Sequence, residues 1–405
     1  MENQTDYLSK LPIEIFLYIC SFLDVKKSLP ALKCTCKRLN EILCDELVWK
    51  SRVAGRWLPN EKETEVDWKE ACTCVEIEAS YLREPTTCDQ IVFRKAHESD
   101  IDALHILENH QILFTGSRDG FIKIWNINKE KKTLEKSMIL PGAHNGWVWR
   151  IASESSRQIF SCSFDHSMKH WNFNEDKLTE IWNLDLKKPV MSLIVVDENL
   201  IAAGLHSEVA LVDRRQGTAI RHIFKDNFVK LNLALINKNI LVSNGVGKKI
   251  CLYDLRYDKE AFCLFDFSKE KPVVPMHLAV QQNILYVSDN KSKLYACDVT
   301  KEEPFLIKEY YPPEGERMKV IGMFASYTSL IMGLNYNKSG HIAFWRPRAS
   351  ATSEDERYPA LRKVGEFHNI GDFNGLCSQM HHRDGMIVSA SIAENDLVCV
   401  VPKDF

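Results

Sequence analysis

Apolar residues recur along this chain with two different periods, and the change between them falls near residue 88. Between Leu8 and Trp57 the spacing is helical. Leu11, Ile15, Ile19, Phe22 and Leu23 form one stripe, Val25, Leu29 and Leu32 a second, and Cys36, Leu39 and Leu43 a third, so at least three short helices are predicted. Pro12 suits a first turn, where its missing donor is not needed, and Asp24 and Asp45 each stand before a fresh apolar run as N-caps. Glu65 to Leu82 predicts a longer helix, with Trp68, Ala71, Cys72, Val75, Ala79 and Leu82 on one face, ended by Pro85. At 1.5 Å per residue it is about 25 Å long, the length of a stiff spacer.

From residue 88 onward the apolar positions alternate in short runs, as in strands. His97, Ser117-Arg118-Asp119 and Trp125 align with His144, Ser163-Phe164-Asp165 and Trp171; the two aspartates lie 46 residues apart and each precedes its Trp by six. This is the spacing of a WD repeat. A buried His, Ser and Asp can hydrogen-bond in series to the indole N–H and staple an outer strand to the inner loops. The repetition therefore assigns His97, Ser117, Asp119, Trp125, His144, Ser163, Asp165 and Trp171 to a structural network. A catalytic triad is the weaker reading, because no G-x-S-x-G elbow occurs.

Further on the signature decays while the strand rhythm persists, in NLIAAGLHSEVALVD, NILVSNGVGKKICLYD, NILYVSDNKSKLYACD, SLIMGLNYNKSGHIAFW and GMIVSASIAENDLVCVV. In the third repeat Gly204 and His206 stand where Ser and Asp are required, and in the fourth Gly245 and Gly247 do, so packing and ladder bonds must hold those repeats. Residues 88 to 405 leave about 45 residues for each of seven repeats. The last run ends at Val400 or Val401 with no outer strand after it, so residues 88–95 are expected to close the seventh. The expected fold is a small all-α domain (8–57), a helical linker (58–87) and an all-β seven-bladed propeller (88–405). Arg346 to Lys363, polar and without strand periodicity, is expected to be a surface loop.

Composition narrows the function. The 405 residues are 45% hydrophobic and 26% charged with a net charge of -3, and no block of five or six like charges favours nucleic acid or a membrane surface. The first ten residues lack an apolar core and no run of eighteen apolar residues occurs, so a cytoplasmic or nuclear protein is expected. Its 13 cysteines are then expected to be reduced. Cys34/Cys36 and Cys72/Cys74 are too closely spaced for a structural zinc site, so neither metal nor cofactor is expected.

Leu11, Pro12, Glu14, Ile15, Ile19, Phe22, Leu23, Asp24, Cys34, Cys36 and Trp49 together resemble the F-box family. With the linker segment DWKEAC and the repeats, including Gly146-Trp147-Val148-Trp149, the whole chain resembles the F-box and WD-repeat substrate receptors of ubiquitin ligases. The resemblance implies docking to the S-phase-kinase-associated adaptor, and through it to a cullin, with Leu11, Pro12, Ile15, Ile19 and Leu23 on the contacting face. The competing reading is that these side chains close the module's own core.

An unknown protein target would then be held on the propeller and brought near the transferring enzyme, without bond chemistry by this chain. On the face where loops enter the inner strands, the repeat alignment places Asp100, Asp102, Trp147, Trp149, Phe228 and Lys230, with Arg118 and Phe164 from the turns. Trp and Arg are favoured anchors there. Since Arg118 and Lys230 are the cations so placed, recognition of phosphate through converging arginines is not favoured. The rival function is a WD-repeat scaffold that binds the adaptor without delivering substrates.

Overall fold

The computed structural model covers residues 11–23, 25, 28–53, 67–83, 88–107, 112–128, 131, 133–174, 177–224, 230–236, 239–245, 249–256, 262–266, 273–281, 284–299, 305–310, 318–326, 328–336, 339–347, 361–368, 377–383, 386–391 and 395–402. Its helices are α1 (Ile13–Cys20), α2 (Ser28–Lys33), α3 (Lys37–Cys44), α4 (Glu46–Val53) and α5 (Trp68–Arg83). Seven of the eight residues of α1 are apolar, more than one face can bury. Phe16 and Cys20, one turn apart, point inward and meet Val25, Leu29, Leu39, Leu43, Trp49 and Val53. The buried stripe is thus displaced by one residue from the predicted Ile15 and Ile19 row. Pro12 is the N-cap of α1. Asp45 caps α4, its carboxylate accepting the Leu47 amide at 2.9 Å; Asp24 lies outside the described residues. The Trp49 indole donates to the Leu43 carbonyl at 3.0 Å and ties α4 to α3.

The long helix is not an isolated spacer. Ala71, Cys72 and Val75 of α5 are buried in the same helical core and Trp68 packs against it, because an apolar helix face beside an incompletely covered core lowers its free energy by joining it.

Beyond α5 the described strands form seven four-stranded sheets. Six are consecutive in sequence, at 101–140, 148–185, 190–223, 230–266, 275–310 and 318–368. The seventh joins Cys377–Arg383, Met386–Ser391 and Leu397–Pro402 to Cys88–Phe93 from before the first, with register from Cys88↔Pro402 to Phe93↔Leu397. The first strand of each sheet lies beside the first strand of the next, and Cys377–Arg383 lies beside Ile101–Leu107. Arg346 to Lys363 is not wholly a loop: Ser339–Pro347 pairs with Leu361–His368, Arg346 facing Arg362. The charged start of that outer strand hid it, and residues 348–360 lie outside the description.

Buried apolar clusters bridge neighbouring sheets. Ile91, Leu397 and Cys399 of the seventh pack with Ile101, Ile106 and Trp125 of the first, and Phe114 and Ile124 of the first with Val148, Ile151 and Trp171 of the second. Second strands such as Gln158–Ser163 and Leu200–Leu205 are buried beyond their first residue, since both of their faces are covered. Outer strands such as Thr133–Leu140 and Lys177–Asp185 carry exposed charges, including Glu135, Lys136, Lys177 and Glu180, which discourage edge pairing. At the first turn between second and third strands Gly120 takes φ +80°, and a Cβ there would stand 2.6 Å from the His144 carbonyl oxygen. That close approach seats the loop entering the second sheet.

Candidate functional site

At the helical end, Ile13, Ile15, Tyr18 and Phe22 are 44, 49, 65 and 73% exposed, and the Tyr18 and Phe22 rings meet edge to face at 5.0 Å. Pro12 is exposed and Ile19 half-buried. Leu11 and Leu23, by contrast, pack partly against the module's own core. The five residues expected to bind the adaptor therefore divide: Pro12, Ile15 and Ile19 offer surface, while Leu11 and Leu23 also support the core. Tyr18 and Phe22 enlarge the apolar patch on α1. A helix apolar all round was the sequence signal for them, because one face must lie outside the core.

At the joint between the two parts, Glu76 and Glu78 lie two residues apart on α5 and so point to roughly opposite sides. Glu76 faces the helices, accepting from the Arg52 Nε at 2.8 Å and from the Val25 amide at 3.3 Å. Arg52 also donates to the carbonyls of Cys20 and Leu23. Glu78 is 1% exposed and faces the first turn of the sixth sheet. There its carboxylate accepts the hydroxyls of Ser326 at 2.6 Å, Thr328 at 3.3 Å and Ser329. Nothing in the periodicity of α5 singled out Glu78. Removing the carboxylate takes a buried acceptor from three hydroxyls, of which Ser326 also reaches the Ser329 carbonyl at 3.1 Å, so Glu78→Ala is expected to cost about 1–3 kcal/mol. Hydrogen exchange should quicken in α5 and at 326–336; unchanged protection would mean that Glu78 does not join the parts.

Between strands the stapling network forms, but through different hydroxyls. Trp125 Nε1–H donates to Thr115 Oγ1 at 2.9 Å, Thr115 meets His97 Nε2 at 2.7 Å, and His97 Nδ1 meets Asp119 at 2.9 Å. Because the indole is only a donor and the carboxylate only an acceptor, the middle links run Thr O–H to His Nε2 and His Nδ1–H to Asp. Trp171, Ser161, His144 and Asp165 repeat the arrangement at 2.8, 2.7 and 3.3 Å, with Ser167 also on His144. Ser117 and Ser163 are therefore not the relays. Each accepts the amide of its own turn's aspartate, Asp119 or Asp165, at 3.2 and 3.1 Å. Thr115 and Ser161, two residues earlier on the same strand face, stand diagonal to the tryptophans, whose direct cross-strand partners are Leu113 and Ile159. The fifth sheet keeps a remnant, with the Tyr295 hydroxyl on Asp289 at 3.2 Å.

Burial holds His97 below the ordinary imidazole range and lowers His170 and His277 to about 4, with Arg214 and Arg150 adding repulsion to the last two respectively. In Asp119 and Asp165 burial alone would raise the pKa, but the hydrogen bonds from His97, and from His144 and Ser167, bring it below the usual range. The unfolded chain thus binds protons that the folded chain refuses, so acid favours unfolding. The melting temperature is expected to fall as pH drops from 6.5 towards 4, with the carboxylates extending the loss lower. A flat profile over that window would place these imidazoles in water.

Near the loop entering the second sheet, backbone bonds fix a second exposed group. The Arg118 amide donates to the Asp100 carbonyl and the Phe164 amide to the Trp147 carbonyl, each at 2.9 Å. Trp147 and Phe164, 40 and 45% exposed, lie 5.4 Å apart. Trp149 stacks on Trp147 at 6.2 Å while packing partly against the core of the second and third sheets. The Arg118 guanidinium lies 4.6 Å over the Trp147 ring and binds Asp100 at 3.0 Å and Asp102 at 2.8 and 3.2 Å. Burial raises the Asp102 pKa against the pull of Arg118, whose own pKa is raised chiefly by its bond to Asp102. Arg150 turns inward and donates to Asn232 at 2.9 Å. Thus Arg118, Trp147, Trp149 and Phe164 come together. Phe228 and the Lys230 side chain lie outside the described residues, although the Lys230 backbone pairs with Gly245.

Among the described residues no three His, Cys, Asp or Glu side chains are placed to hold a metal ion, and no helix is long and apolar enough to cross a membrane. The family described as F-box-like matches residues 8–54, and that described as WD domain, G-beta repeat, matches 88–126 and 134–172. F-box/WD repeat-containing protein 9 of Bos taurus is 26% identical over 95% of this chain and 80% of its own length. Its Homo sapiens namesake is 26% identical over 53% of this chain, and that match spans 48% of the human protein. F-box/WD repeat-containing protein mec-15 of Caenorhabditis elegans is 23% identical over 72% of this chain and 75% of its own. The solved WD40 repeats of RRP9 superpose with a TM-score of 0.63 at 13% identity, over 77% of this chain and 97% of theirs, a likeness of fold. The chain thus carries an F-box-like module ahead of WD40 repeats and is similar in that order to F-box/WD repeat-containing proteins.

Proposed function

We propose that this chain is the substrate-recognition subunit of a ubiquitin ligase built from the S-phase-kinase-associated adaptor, a cullin and an F-box protein. The relatives' F-box and WD-repeat make-up supports a role of this type. In this reading residues 8–57 are the F-box domain, 58–87 the linker and 88–405 a seven-bladed propeller closed by 88–95, supported by the ring of adjacent first strands. Pro12, Ile15 and Ile19 dock the adaptor together with Tyr18 and Phe22, and Leu11 and Leu23 shape that face from beneath. The target lies against Arg118, Trp147, Trp149 and Phe164, with Phe228 and Lys230 as further candidates from their positions in the repeat alignment.

The observation that carries the reading is the joint at α5. One helix is buried in the module bearing one exposed apolar patch and is bonded through Glu78 to the sheets bearing the other. A docked target would be held at a set distance from the ligase core, raising its effective concentration there. No bond is made or broken by the chain in this role. Purification of the full chain from cells tests it: adaptor and cullin should both co-purify in near-equal amounts. Adaptor without cullin would favour the scaffold instead.

A further inference from the structure

We propose that the rim around Trp147 and Phe164 takes an unphosphorylated target segment that presents an aromatic or aliphatic side chain next to a lysine or arginine. This inference rests on reading that rim as the target site and adds the chemistry of what it accepts.

The positive charge at this rim is already committed. Arg118 could in principle receive a phosphate, but its guanidinium already holds two carboxylates, Asp100 at 3.0 Å and Asp102 at 2.8 and 3.2 Å. A phosphate would have to displace at least one of them and then remain beside it. Like charges a few ångströms apart repel, and the partly buried setting screens them less than open water does. Farther along the same arc Lys187 is bound to Asp185, and Lys188 to Glu208 at 2.6 Å. Deeper in, the half-buried Arg150 donates to Asn232, and desolvation lowers rather than raises its basicity.

Carboxylates outnumber the cation they surround at this edge. Asp100 and Asp102 share one guanidinium, and the exposed Glu98 lies just before them in the same loop. Asp100 keeps 30% of its side chain exposed, so an incoming ammonium or guanidinium can reach it without breaking the pair with Arg118. A target cation completes this group and a target anion opposes it.

Beside these charges lies an exposed aromatic surface. Trp147 packs against Arg118, whose guanidinium lies 4.6 Å from its ring centroid, and against Trp149, the two indoles inclined by 15°, and Phe164 meets it at 5.4 Å. Its ring is therefore ordered before any partner arrives, and little conformational entropy remains to be lost on binding. Two half-exposed rings side by side, rimmed by carboxylates, suit an apolar side chain with a basic neighbour.

The test uses the purified full chain bound to its adaptor and a panel of degenerate decapeptide pools, each with one position fixed as Phe, Leu, Lys, Arg, Glu or phosphoserine. Retention of the Phe, Leu, Lys and Arg pools several-fold above the pool average, with Glu and phosphoserine below it, is the expected result. Trp147→Ala or Phe164→Ala should flatten the apolar preference about tenfold, and Asp100→Asn the basic one, with melting temperatures unchanged. Preferential retention of phosphoserine, lost in Trp147→Ala, would overturn the proposed chemistry while leaving the rim as the target site. Retention indifferent to Trp147, Phe164 and Asp100 would overturn both.

Discussion

A full chain carrying Ile15→Asp is expected to lose affinity for the purified adaptor by about 2–4 kcal/mol, roughly thirty- to a thousandfold. Ile15 is half exposed on α1, away from the stripe of Phe16 and Cys20 that enters the core. An apolar partner would bury it, and a carboxylate there would be desolvated without a counter-charge. Leu11 and Leu23 are poorer probes. Both pack against the helical core, and the Leu11 carbonyl also accepts Arg38 at 3.1 Å, so their loss would mix docking with folding. Titration calorimetry with the adaptor measures the effect, and the melting temperature should hold within about a degree because the altered site is on the surface. Undiminished affinity would remove this face from the docking surface.

The second large effect is on stability. Trp125 is fully buried, its ring lies 4.6 Å from Phe93, and it packs with Ile91, Leu397 and Cys399 where the first and seventh sheets meet. Trp125→Ala is expected to cost about 3–5 kcal/mol, the range for truncating a buried aromatic, and it also orphans Thr115 from its indole donor. Trp125→Phe keeps most of the packing and forfeits the hydrogen bond, so it should cost about 1–2 kcal/mol. Denaturant titration of the three chains separates the contributions. An alanine variant as stable as the parent would show that this seam holds nothing together.

Much of this arrangement was legible because periodicity reports burial. The helical stripes marked a small core, and the six-residue interval from Asp to Trp marked the turn and third strand of two repeats. Periodicity was blind wherever two surfaces compete for one side chain. α1 is apolar on nearly all sides, so spacing alone could not tell Ile15 from Phe16, and only packing chose the latter. The hydroxyl relay was misplaced for a related reason. Ser117 and Thr115 lie on one face of one strand, and the register with Trp125, which the sequence does not state, selects Thr115. Glu78 was missed because a single acid in an amphipathic helix looks like a solvated one until its partners, about 250 residues later, fold against it. The outer strand starting at Leu361 was lost in a charged stretch, since strands at a solvent edge need few apolar residues. At the target rim the residue types were readable, but the commitment of Arg118 to Asp100 and Asp102 was not, and that pairing decides which ligand charge is welcome.

The central claim is that one end of the chain recruits the ligase while the other holds cargo. Affinity capture from cells under proteasome inhibition, comparing the intact chain with Ile15→Asp, tests it most directly. A set of proteins is expected to be bound equally by both chains but ubiquitinated and, without inhibitor, depleted only with the intact one. Equal ubiquitination of that set with both chains would contradict it.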